Sequence, residues 1–269
     1  MHKDNIKNFY QTYHDAISDK RLNSPYALRQ YVHKQQHQSF LNYIKPGDRV
    51  LDAGCGDGAL AFLLAAHGAH VVGCDISSPN VVQCKEKQNQ TNLSNLEFLE
   101  ADLENLPFPD SSFDLVVSSH VLEHLPDFNR GLRELLRVSK KRVIFAVPSL
   151  PNPCSMVQVG GGWFYLKGLR SFAGFFLGLI YTVAAYILGQ DGVNENYVGE
   201  KMPHVFRFAR TVKKAIKAEQ AKLISYEADS VCLPYFSSLL PVIKKLNQKR
   251  DYPIIRNFGY GTMFIVEKD

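Results

Sequence analysis

Asp52, Gly54, Gly56 and Gly58 stand in the run VLDAGCGDG (50–58), which brings an acid and a bare backbone to one bend. Glycines let the chain turn tightly and let a ligand touch the main chain. N–H groups opening a following helix favour an anionic group there. The Asp52 carboxylate, just ahead of the glycines, can orient a cation, so a ligand carrying both a carboxylate and an ammonium would suit the bend. With Ala59 the same spacing also satisfies G-x-G-x-x-G/A, the dinucleotide fingerprint. Asp75, ending HVVGCD (70–75), would hold ribose hydroxyls in either case. The glycines alone leave two cofactor classes open.

Two further stretches carry side chains able to do chemistry. In EADLENLPFPDSSFD (100–114), Asp102 can accept from an adenine amino group while the N–H of Leu103 meets a ring nitrogen. FDLVVSSHVLEHLPD (113–127) places His120 and His124 after a strand, at the sheet edge where ligands bind in open α/β folds. His120 is the first candidate for a base or substrate contact, against a simpler role in shaping the pocket. His124 is a second candidate, with a structural role as its alternative. His204 reads as the start of a helix that reaches the pocket rim. Arg29, or one of Tyr10, Tyr13 and Tyr26, reads as closing over the cofactor from N-terminal helices, although surface packing is the simpler role for each.

The elements that must position these residues follow from periodicity. Residues 1–45 read as helical, with Ile6, Phe9, Tyr10 and Tyr13 on one face and a second stretch from Pro25 to Tyr43. RVLDA, HVVGCD (70–75), LEFLEAD (96–102), FDLVVSS (113–119) and KRVIFAVP (141–148) are short apolar strands. Helical segments at Ala59–Ala66, Pro79–Asn89 and Arg130–Val138 alternate with them, which predicts a parallel sheet with right-handed crossovers. Beyond an insertion of about 55 residues, too long for an ordinary connection, a helix over 205–219 is expected from Val205, Phe208, Val212 and Ile216. Then follow a strand at 221–232, a helix at 237–249 and a last strand, GTMFIVEK.

The D-x-G-x-G-x-G loop, Asp102 and the FDLVVSSHVLEHLPD segment together closely resemble the class I S-adenosylmethionine-dependent methyltransferases, in particular the branch holding quinone-ring and many small-molecule enzymes. The resemblance covers residues 45–150 strongly and 204–269 in pattern. It implies a doubly wound α/β fold, a seven-stranded, mostly parallel, Rossmann-like sheet with N-terminal helices and an apolar cap insertion. It implies S-adenosyl-L-methionine as cofactor, with Asp52, Gly54 and Gly56 at the methionine moiety and Asp75 with Ile76 at the ribose. Asp102 and Leu103 fall at the adenine, and Ser119 supplies a backbone contact after strand four. The chain then divides into an N-terminal helical cap (1–45), a cofactor-binding core (46–150), a substrate lid (151–203) and a C-terminal completion of the sheet (204–269). No metal or covalent intermediate is required. A nicotinamide-dependent oxidoreductase and a non-catalytic, membrane-associated scaffold remain as alternatives.

Bulk composition bounds the partners. The 269 residues carry a net charge of +5, too mild to argue for nucleic acid. Five cysteines without a CxxC pair read as reduced thiols, and the polar N-terminus lacks the apolar stretch of a secretory signal, so a cytoplasmic location is expected. Within 156–192, the uncharged run Ser171–Gln190 would extend ~30 Å as a helix, enough to cross a bilayer. A crossing would put the halves of one sheet on opposite sides of the membrane. The run is therefore expected either buried in a cap over an apolar acceptor or lying in the membrane interface, with Trp163, Phe164 and Tyr165 as interfacial aromatics. Arg207, Arg210, Lys213, Lys214 and Lys217 would then face anionic lipid or solvent. The expected acceptor is a small, apolar or lipid-like molecule, methylated at the inner face of a membrane.

Overall fold

The structure, a computed structural model, describes residues 3–12, 17–197 and 202–268. Three helices come first: α1 (Lys3–Thr12), α2 (Ile17–Leu22) and α3 (Ala27–Gln38). Then the chain alternates through β1 (Arg49–Ala53), α4 (Ala59–Ala66), β2 (His70–Asp75), α5 (Ser78–Asn89), β3 (Leu96–Glu100), β4 (Phe113–Ser119), α6 (Phe128–Val138) and β5 (Ser139–Val147). Nearly every residue of β1 and β4 is buried or half-buried, as expected of strands covered on both faces. Helix starts are set locally. The Ser77 hydroxyl accepts from Asn80 N at 3.3 Å ahead of α5, and the Asp127 carboxylate accepts from Arg130 N at 3.1 Å ahead of α6.

These five strands pair in parallel, and the full seven-stranded order is β3-β2-β1-β4-β5 followed by β10 (Thr262–Glu267) and β9 (Lys222–Ala228). β10 runs antiparallel to both neighbours, so the expected sheet is present. One face packs Phe113, Phe145 and Phe264 against Phe128, Leu132 and Leu135 of α6 and against Val212 and Ile216 of α9 (Ala209–Ala218). The other face packs Val50, Val117 and Ile144 against Phe40, Leu60 and Leu64. The strand order reverses between β1 and β4, which opens a crevice at their carboxyl ends.

The insertion builds two features. β6 (Ser149–Leu150), β7 (Gly192–Tyr197) and β8 (Met202–Phe208) form a second sheet ordered β6-β8-β7. This corrects the expected helix start at 205: helix begins only at Ala209. His204, Phe206 and Phe208 alternate inward, and the two phenylalanines pack with Leu150 and Met156. Their period of two overlaps the helical spacing of Val205, Phe208 and Val212, and tertiary packing decided between them.

The second feature is a helical hairpin, α7 (Pro153–Val159) and α8 (Leu169–Leu188). α8 turns its small residues, Ser171, Gly174, Gly178, Thr182 and Ala185, toward the protein. A Cβ on Gly178 would stand 1.8 Å from the Met156 carbonyl oxygen, so the two backbones touch where side chains are absent. The large residues point outward: Phe176, Leu177, Ile180, Ile187 and Leu188 are exposed, Ile187 to 76%. Of the two placements expected for this run, burial in a cap does not describe α8. α10 (Leu240–Asn247) is shorter than the helix expected over 237–249.

Candidate active site

The glycine bend forms as its sequence requires. Gly54, Gly56 and Gly58 have φ of +79°, +53° and +82°, a region where a side chain is strained. Gly54 N and Cys55 N donate to the Cys74 carbonyl at 2.8 and 2.9 Å, closing the bend against the end of β2. A Cβ on Gly54 would collide with Val121, whereas one on Gly56 would meet open space, the side on which a ligand can approach. Asp57, inside the bend, accepts from the Ser18 N–H at 2.7 Å and hydroxyl at 2.8 Å, which ties α2 to the loop.

Asp75 and Asp52 stand on either side of this bend. The Asp75 carboxylate accepts from Gly56 N at 2.8 Å and Ser77 N at 2.9 Å, so it is held rigidly at the tip of β2 beside Ile76. Asp52 is 1% exposed, and its Oδ2 has no hydrogen-bond partner among the described residues. Burial, with the Asp75 charge added, pushes its pKa up to about 7. A buried carboxylate oxygen without a donor fits a ligand that brings one, such as an ammonium group.

Asp102 follows β3. Its Oδ1 accepts from Glu104 N at 2.9 Å, and its Oδ2 pairs at 2.5 Å with Lys7, which also reaches Glu104 at 2.7 Å. α1 therefore covers the adenine end of the expected cofactor site. Leu103 buries its side chain in the core, leaving its backbone for ligand contact.

Beyond Ser119 at the end of β4, His120 takes φ +57°, unusual for a residue with a side chain, and donates its N–H to the Ala146 carbonyl at 2.9 Å. The turn aims its ring between two carboxylates. Nε2 lies 2.7 Å from Asp229, and Nδ1 lies 3.3 Å from Glu123; both acids are fully buried. The Gln36 amide sits 2.8 Å from Nε2. Burial opposes a charge on the ring, but hydrogen bonds with Asp229 and Glu123 outweigh it and raise the pKa to about 9. At neutral pH His120 is an imidazolium, offering charge and a hydrogen bond rather than a free lone pair.

His124 binds the Tyr10 hydroxyl through Nδ1 at 2.9 Å and packs edge-on to His204 at 4.7 Å. Burial lowers its pKa, helped by the His120 charge and opposed by Glu123, so its ring is neutral. His204 lies on β8, not at a helix start, and is buried against Phe206. Glu123, His124 and His204 offer ligand atoms within 4.8 Å of one another, a set able to hold a divalent cation. Arg29 stacks on Tyr165 at 5.0 Å, and Tyr26 packs on the same ring at 5.2 Å. Tyr13 lies outside the described residues. The sequence reading missed Glu123, Asp229, Gln36 and Lys7. Only Glu123, an acid inside the apolar run VLEHL, carried a local signal.

Known proteins resemble this chain in sequence and in fold. Residues 51–147 match a family model described as "Methyltransferase domain". A demethylmenaquinone methyltransferase of Listeria welshimeri is 32% identical over 149 residues, covering 54% of this chain and 63% of its own length. A sterol 24-C-methyltransferase of Gibberella zeae is 37% identical over 117 residues, 42% of this chain and 31% of its own length. The chain thus spans less than two thirds of these relatives. The crystal structure of magnesium protoporphyrin IX methyltransferase from Synechocystis with bound SAH shares the fold, with a TM-score of 0.58 at 16% identity over 99% of both chains. Residues 51–147 thus match a methyltransferase domain, and the sheet built around them has the fold of S-adenosylmethionine-dependent methyltransferases.

Proposed function

We propose that this protein transfers a methyl group from S-adenosylmethionine, in line, to a small lipophilic acceptor at a membrane surface. The observation that carries the donor half is Asp75, fixed by two main-chain N–H groups beside a glycine bend, with the partnerless Asp52 oxygen one strand over. When bound, the donor supplies a methyl group on a positively charged sulfur that is already a good leaving group. The chain's own work is then placement and exclusion of water. Asp52 meets the ammonium, Asp75 the ribose hydroxyls, and Asp102 with the Leu103 N–H the adenine. His120 positions the acceptor by charge and hydrogen bond. Neutral His124 is the imidazole able to take a proton from a hydroxyl acceptor.

Two observations support a lipophilic acceptor. The named relatives are a quinone and a sterol methyltransferase. α8, long and apolar enough to cross a bilayer, shows its large side chains to the outside, the pattern of a helix lying in a membrane interface. Incubation with labelled S-adenosylmethionine and a cellular lipid extract, followed by mass spectrometry, tests the reading. Label in an organic-soluble product is expected; label confined to the aqueous phase contradicts the lipophilic acceptor.

A further inference from the structure

A small cavity of about 40 Å³ lies between α3 and the segment after α7, walled by Arg21, Arg29, His33, Gln36, Gln158 and Tyr260. Its inner wall is the active site's own wall. Gln36 contacts His120, and the Tyr260 ring lies 5.3 Å from the His120 ring. Its outer lip carries Trp163, the only tryptophan of the chain, next to the start of α8.

Three features of this cavity point to one ligand chemistry. Among the described residues no carboxylate lines it, although the Arg29 and Arg21 guanidinium groups do. Arg29 has only the Tyr165 ring as partner, and no acid pairs with it among the described residues. His33 is 3% exposed, yet neither ring nitrogen has a hydrogen-bond partner among the described residues. A buried polar group is normally satisfied, so an orphaned imidazole at a cavity wall marks a place where a ligand completes the bonding. Guanidinium forks match the two or three oxygens of a carboxylate or phosphate. The volume admits such a group but not a ring and tail, so the rest of the molecule lies outside the cavity.

We infer that this cavity receives a carboxylate or phosphate carried by the methyl acceptor, making the acceptor an anionic amphiphile. The inference rests on the methyl-transfer reading and narrows its substrate class. Arg29 holds the anionic oxygens, His33 adds a hydrogen bond, and the anchored group sets the reacting atom toward the His120 wall.

Trp163 fluorescence provides the test. The full chain is titrated with octyl phosphate, octanoate, octanol and inorganic phosphate, and S-adenosylhomocysteine binding is measured separately by calorimetry. Octyl phosphate and octanoate are expected to bind at least about tenfold more tightly than octanol or inorganic phosphate, as a charge-assisted bond added to apolar contact requires. Arg29→Met, which keeps the stem on Tyr165 at a half-exposed position, is expected to abolish that preference while S-adenosylhomocysteine binding is unchanged. Octanol binding as tightly as octyl phosphate, inorganic phosphate matching it, or an Arg29→Met protein that keeps the preference would each overturn the inference. Failure of the methyl-transfer reading has a different signature, loss of S-adenosylhomocysteine binding by the wild-type chain.

Discussion

Single residues set the electrostatics of the site, and two of them make it sensitive to pH. Asp52 titrates near 7, and an ammonium ligand needs it ionised. Cofactor affinity should therefore rise between pH 6 and 8, with proton release on binding. Calorimetry in buffers of different ionisation enthalpy reads both effects. Asp52→Asn should remove the pH dependence and weaken binding about tenfold, ~1.4 kcal/mol. His120 behaves oppositely. Its folded pKa of about 9 lies above the ordinary histidine value, so the stability it contributes is complete below about pH 6.5 and is lost as pH rises through 9. His120→Gln leaves Asp229 and Glu123 buried without a counter-charge, a loss of about 3–5 kcal/mol in urea unfolding at pH 7. An unchanged unfolding midpoint would contradict the assigned network. The three acids proposed for the cofactor stood out in sequence because each lies at or near the end of a short apolar strand. Asp229 did not: it lies 109 residues from His120, and nothing local ties EADSVC to HVLEH.

At the scale of elements, the α/β alternation was readable almost residue by residue, because buried parallel strands leave short apolar runs between capped helices. Ala59–Ala66 and His70–Asp75 have the boundaries the sequence predicts. β8 was misread because its residues satisfy two periods at once, and its partner Ser149–Leu150 is too short to show itself in sequence. Arg207 was misplaced with it: on β8 it stacks on Phe128 at 4.2 Å, while Arg210 stacks on Tyr186 at 4.1 Å at the end of α8. The hairpin of α7 and α8 depends on bare backbone. Gly178→Ala forces a methyl into the Met156 carbonyl and should cost about 1–3 kcal/mol or more in thermal unfolding. The outer face can be changed without that cost. Phe176→Ser, Ile180→Ser and Ile187→Ser together should leave the unfolding midpoint within a degree or two, as surface changes of ~0.5 kcal/mol do, yet abolish flotation with anionic liposomes. Flotation that survives the triple change would remove α8 as the membrane contact.

For the whole molecule, the order β3-β2-β1-β4-β5-β10-β9 explains why residues scattered from 7 to 261 meet at one edge. β1, β2 and β4 deliver Asp52, Asp75 and His120 to the crevice where the strand order reverses. The late strands then return Asp229 and Gly261 to the same place, with Gly261 N donating to Asp229 at 2.9 Å. A Cβ on Gly261 would come within 2.6 Å of the His120 ring, so the closing segment fits against that imidazolium. The N-terminal helices cover the edge through Lys7, Tyr10, Ser18 and Gln36, each bonded to a residue of the crevice. Such an assembly makes one demand before any acceptor is known: it must bind an adenosyl ligand bearing an amino acid, not a dinucleotide. Titration calorimetry of the full chain with S-adenosylhomocysteine and, separately, with NAD measures this directly. The account predicts one S-adenosylhomocysteine per chain, lost in Asp75→Ala, and no heat from NAD; NAD binding without S-adenosylhomocysteine binding would contradict it.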